Sequence, residues 1–111
     1  MSDMTKAAQD VLAERRRQIE AEGWTPEHDD EHGAGELARA AAAYALDAGN
    51  RLDPHAVTGG EAPSFWPWHG GRPREARWWK PSDPRRNLVK AGALILAEIE
   101  RLDRMGGSDE R

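Results

Sequence analysis

Residues 82–107, SDPRRNLVKAGALILAEIERLDRMGG, read as one long helix with both ends marked. Ser82 or Asp83 can cap it, Pro84 suits the first helical position, and Gly106-Gly107 follows Arg104 as a stop. Between Leu88 and Leu102 the apolar residues Leu88, Val89, Ala91, Leu94, Ile95, Leu96 and Ile99 spread around nearly the whole circumference. A helix apolar on all sides is buried on all sides. Two short helices of one chain could hardly cover it. The expectation is a homo-oligomer with this helix at its centre.

Working outward, residues from about Met4 to Glu22 place Ala7, Val11, Leu12 and Ile19 on one stripe. Ser2 or Asp3 would cap this first helix, and Gly23 fits the left-handed position past its end. Arg15, Arg16 and Arg17, flanked by Glu14, Glu20 and Glu22, read mostly as a solvated face supported by four-residue charge pairs. Glu98, Glu100, Arg101, Asp103 and Arg104 read the same way, or as an oligomer rim. A second helix is expected from near Gly35 to Asp47, closed by Gly49, with Leu37, Ala41, Tyr44 and Ala45 on one side. Its run of alanines from Ala38 permits close approach to another helix. Asn50 to Pro81 lacks periodicity and holds five of the seven prolines and four of the five tryptophans. Disorder rarely carries so many aromatics, so Phe65-Trp66-Pro67-Trp68 and Trp78-Trp79-Lys80-Pro81 should be anchored around a mobile tip at Gly70–Glu75. The expected fold is all-α: three main helices in a single domain over 1–111, with a long Trp/Pro/Gly-rich loop between helices two and three and a frayed tail from 106 to 111.

A chain of 111 residues and 12.3 kDa has room for one domain. No apolar run approaches the ~20 residues of a membrane span, and no signal-peptide pattern opens the sequence. The absence of cysteine excludes disulfides, zinc–thiolate sites and a cysteine nucleophile. A net charge of −4 argues against general nucleic-acid binding. Cytoplasmic residence is the default expectation. No phosphate-binding glycine loop occurs, and no serine sits in a nucleophile elbow.

Two constellations can carry chemistry. The first is Trp24-Thr25-Pro26-Glu27-His28-Asp29-Asp30-Glu31-His32 with Glu36: His28, Asp29, Asp30, His32 and Glu36 could ligate a divalent cation such as Mg2+ or Mn2+. The plain alternative is that these acids complement a helix dipole and that Thr25 or Asp29 caps it. The second is basic and aromatic: Arg72, Arg74, Arg77, Trp78, Trp79 and Lys80, then Arg85, Arg86 and Lys90. Cations in the first turn of a helix oppose its dipole, a local conflict that a phosphate would resolve. Arg would supply paired donors, and neighbouring indoles would offer faces for a base. The alternative is that Arg85 and Arg86 pair with the acids at 27–31, and the two constellations cancel.

The strings GWTPEHDDEH, GELARAAAAYA, WPW, WWKP and RRNLVKAGALILAEIERLDR resemble a family of small uncharacterised phage and prophage proteins over nearly the whole chain. That resemblance implies an accessory protein made in the bacterial host cytoplasm. A weaker resemblance is to the all-α MazG-type nucleoside triphosphate pyrophosphohydrolases, which hold magnesium with an E-x-x-E helix and an E-x-x-D helix. Here Glu31 and Glu36 have the wrong spacing for the first. Arg85, Arg86, Asn87 and Lys90 stand where the second acidic pair belongs, and Glu100 and Asp103 have its spacing at the far end of the helix. Guanidinium and ammonium groups in place of metal ligands would bind phosphates and hydrolyse them poorly.

The leading expectation is therefore a non-hydrolysing binder of a phosphorylated nucleotide-type ligand. Arg85, Arg86, Lys90 and Lys80 would hold phosphate; Trp78, Trp79, Trp66 and Trp68 would stack on a base. In a phage setting its use would be sequestering a bacterial immune signal. One alternative is a metal-dependent triphosphate pyrophosphohydrolase using Glu31, Glu36, Asp29, Asp30, His28 and His32. Another is an inhibitor that grips a host protein through its Trp and Arg side chains.

Overall fold

A computed structural model describes residues 3–31, 33–56, 63, 65–67 and 79–106. Among them are four helices and no strand: α1 (Lys6–Glu22), α2 (Pro26–Asp30), α3 (Glu36–Leu52) and α4 (Pro84–Arg104). The all-α expectation holds, with one short helix more than the sequence suggested. No helix of the described residues is long and apolar enough to cross a membrane.

α4 is the centre. It packs against α3 on one flank, α1 on the other and α2 near its C-terminal end. On the α3 side the contact is built from small residues, with Ala40, Ala41 and Ala43 buried on α3 and Ala91, Ala93 and Ala97 on α4. Small side chains bring the two axes close, and the ridges interlock without large knobs. Leu37, Leu94, Trp24, Tyr44 and Trp66 supply the bulk of the core. On the α1 side the close approach is made at Gly92, where an added Cβ would meet the methyl groups of Val11 at 3.2 and 3.3 Å.

The helix ends follow cap chemistry, with three departures. Asp83 caps α4 by accepting the Arg86 N–H, as its sequence indicates. Thr5, rather than Ser2 or Asp3, caps α1 by accepting from Ala8, and Gly23 closes it at φ 74°. Thr25 caps the extra helix α2 by accepting from His28, with Pro26 at the first position. α3 does not stop at Gly49 but continues to Leu52, where the Asp53 N–H bonds back to the Gly49 carbonyl. An Arg51–Asp47 ion pair at 2.6 Å, one turn apart, supports that extra turn across the glycine.

Within one chain α4 is not covered on all sides: Val89, Ala91, Ala93, Leu94 and Ala97 are buried, whereas Leu88, Ile95, Ile99 and Leu102 are 43–49% exposed. The expected mobile tip and the tail beyond Gly106 lie outside the described residues.

Candidate functional site

α1 is the least apolar of the three long helices, and it turns a polar face inward: Glu14, Arg15 and Gln18 are all buried. Buried charges must be paired. Arg15 donates to Asp29 at 2.8 Å, to the Trp24 carbonyl at 3.2 Å and to Glu100 at 3.2 Å, tying α1, α2 and α4 together. Burial raises the Asp29 carboxyl above its ordinary value, against the opposing pull of the Arg15 guanidinium. Arg15 is therefore an internal tie, not part of a solvated face, and Arg101 is likewise buried in a pair with Glu98 at 2.7 Å.

This network takes up the acidic constellation. Asp29 faces Arg15, Asp30 accepts from Arg104 at 2.7 Å, and a Glu36 carboxylate oxygen accepts from the Ala34 N–H at 2.8 Å. His28 leans on the Trp24 ring, centroids 5.1 Å apart. Among the described residues no three His, Asp or Glu side chains converge as a metal-binding group; His32 lies outside them. The acids at 29 and 30 meet Arg15 and Arg104, not Arg85 and Arg86.

The basic cluster also finds partners, from α1. Arg85 pairs with Asp10 at 2.9 Å and Arg86 with Glu14. The cations at the amino end of α4 are thus answered by carboxylates of the neighbouring helix, which removes the dipole conflict. Lys90 donates to the Lys80 carbonyl and to Ser82 Oγ at 3.2 Å. Burial pulls the Lys90 ammonium below its ordinary value, with Arg86 and Arg17 adding to the effect and Glu14 and Glu22 opposing it.

Beside Lys90 the structure gathers aromatic rings. Tyr44 and Trp79 stack at 4.8 Å with planes 28° apart; Trp66 meets Trp79 at 5.0 Å and the Tyr44 ring edge-on at 5.7 Å. The Lys90 ammonium sits 5.5 Å from the Tyr44 ring centre, within cation–π range. The Tyr44 hydroxyl accepts the Lys80 N–H at 2.9 Å, and burial pushes its pKa up to about 12. Ser82 N–H donates to Asn87 and Asn87 donates to Asp47, both at 2.7 Å, so buried Asn87 pins the segment before α4 to α3. Trp66 and Trp79 are thereby brought to one place with Lys80 and Lys90; Trp68 and Trp78 lie outside the described residues.

A concavity, open on one side, lies here, lined among others by Glu14, Arg17, Gln18, Glu22, Lys80 and Lys90, and leaves about 30 Å3 for water-sized groups. Glu14 is bound by Arg17 at 2.8 Å and by Arg86, and Glu22 by Arg17 at 2.5 Å and Lys80 at 3.4 Å. Burial opposes the ionised form of Glu14, yet Arg17 and Arg86 hold its carboxyl below the ordinary range. An ionised Glu14 only accepts, so Gln18 must turn its amide nitrogen to it, at 3.1 Å. The other end of that amide, Oε1, is buried and has no protein hydrogen-bond donor. The sequence reading set Glu14 and Glu22 on a solvated face and left Gln18 out, although their four-residue spacing puts all three on one face of α1, which the structure turns inward at Glu14 and Gln18.

No known protein family, curated protein or solved structure matches the chain.

Proposed function

We propose that this protein binds a phosphorylated, base-bearing small molecule of the nucleotide type at the concavity between α1, α3 and α4, and releases it unchanged. The observation that carries this reading is the meeting of an aromatic trio (Tyr44, Trp66 and Trp79) with the Lys90 ammonium, beside a concavity that Lys80 also lines. Phosphate contacts shift accordingly from Arg85 and Arg86, which α1 satisfies, to Lys80 and Lys90. The space of about 30 Å3 takes a group the size of one or two waters. The rest of a ligand would sit on the open side of the concavity, with the more than half-exposed Lys80 swinging away from Glu22. Binding without turnover is supported by the state of the two lining carboxylates. Each is held by cationic side chains and neither is free to act as a base or metal ligand. Taken with the phage resemblance, the proposed use is sequestering a nucleotide signal of bacterial immunity.

The test is a panel of nucleoside mono-, di- and triphosphates and cyclic dinucleotides, read by thermal shift and tryptophan fluorescence, with the ligand recovered and analysed. The reading expects at least one member to raise the melting temperature and to be recovered intact with and without Mg2+. It expects the shift to be lost in Lys90→Gln. Recovery of cleaved ligand with pyrophosphate would favour the hydrolase alternative. No response across the panel would count against a nucleotide site.

A further inference from the structure

The outward positions of α4 form a pattern of their own, with Gly92 at its edge against Val11 of α1. Leu88, Gly92, Ile95, Ile99 and Leu102 follow one another at alternating steps of four and three residues. That is the repeat of a helix seam that packs against another helix. Four of the five positions carry large aliphatic side chains that are 43–49% exposed. The stripe is bordered by two apolar grooves, of about 250 Å3 against α3 (Ala38, Ala42, Ala45) and about 400 Å3 against α1 (Ala7, Ala8, Val11). A ridge between two grooves lined almost wholly by apolar side chains makes a continuous apolar surface, the kind that marks an interaction site.

We propose that this face is the interface with a second copy of the same chain, α4 packing antiparallel on α4 about a two-fold axis near Ile95. Three observations select that occupant. Leu88 and Leu102 lie seven residues on either side of Ile95, so an antiparallel pair crossing there sets Leu88 of each copy against Leu102 of the other. The stretch Ala91–Ala97 carries no charge, and at its border Glu98 and Arg101 already neutralise each other within the chain, so self-pairing buries no unmatched ion. The ridge of one copy also meets the grooves of the other, which is the self-complementarity a two-fold interface requires. The aliphatic patch supplies the interface core, and the flanks of α1 and α3 extend it toward the ~800 Å2 per subunit of a stable dimer.

The chain has no cysteine, which makes the test direct. Light scattering on the full chain at tens of micromolar should give twice the 12.3 kDa chain mass. Ile95→Glu should bring it to the single-chain mass with its helical circular dichroism intact, because Ile95 is not needed for the core. Leu52→Glu, exposed at the end of α3 and off the stripe, should remain dimeric. Under mild oxidation Ile95→Cys should cross-link between chains, while Leu88→Cys should not link to itself. A wild-type chain that stays at 12.3 kDa, or an assembly that survives Ile95→Glu, overturns the interface. Self-linking of Leu88→Cys overturns the antiparallel arrangement.

Discussion

Arg15 shows how much one side chain can carry when its partners are buried with it. It joins three helices, and Asp29 beneath it is wholly inaccessible to solvent. Replacing it with Ala would leave that buried carboxyl without its guanidinium partner. We expect Arg15→Ala to cost about 3–5 kcal/mol, measured as the change in urea unfolding free energy. Asn87 does comparable work between α3 and α4 through a bond to Asp47, itself paired with Arg51. Asn87→Ala should cost about 1.5–3 kcal/mol, and it should also loosen the Lys80–Ser82 segment, visible as faster amide exchange at Lys80. Glu14 makes stability depend on pH. Its folded carboxyl is held below the ordinary value of 4.5, so the unfolded chain binds the proton more readily. The stabilisation is therefore complete above that ordinary value and is lost as pH falls through the lower, folded one. A urea midpoint that drops between pH 6 and 3, less steeply in Glu14→Gln, is the expected outcome. Identical profiles for the two chains would remove Glu14 from the account.

At the scale of elements, α4 was legible because cap, proline and terminal glycine agree with its apolar content, and local signals of that kind do not depend on the rest of the fold. α1 was legible as a helix but not in its orientation. Its stripe of Ala7, Val11, Leu12 and Ile19 suggested an apolar inner face, while the structure turns Glu14, Arg15 and Gln18 inward and leaves Leu12 nearly half exposed. Charges can be buried where partners arrive from distant parts of the chain, and Asp29 and Glu100 stand 14 and 85 residues from Arg15. No local pattern encodes that. α2 was missed because five residues are too few for a period to show, although Thr25-Pro26 is a cap and first position in plain view. The end of α1 offers a check on the local argument. Gly23 sits at φ 74° with open space around it, so Gly23→Ala should cost about 1 kcal/mol from backbone strain alone, read as a fall of several degrees in melting temperature.

For the whole molecule, one central helix with a neighbour on each flank leaves a recess on one side and a bare aliphatic stripe on another. The recess was half legible. Trp66, Trp79, Lys80 and Lys90 were in view from the sequence, but Tyr44, Gln18 and the carboxylates of α1 come to them only through packing. The cations singled out at the start of α4 proved to be matched by Asp10 and Glu14, since a neighbouring helix can answer a dipole conflict as well as a ligand can. What remains is Lys90 beside stacked rings, in a concavity that Lys80 and Gln18 also line. Native mass spectrometry of the protein purified from bacterial cells, before and after adding the best ligand of the panel, tests that arrangement most directly. The expected outcome is a discrete added mass, equal to the intact ligand, that disappears in Lys90→Gln. Bare polypeptide under both conditions, or an added mass indifferent to Lys90, would contradict it.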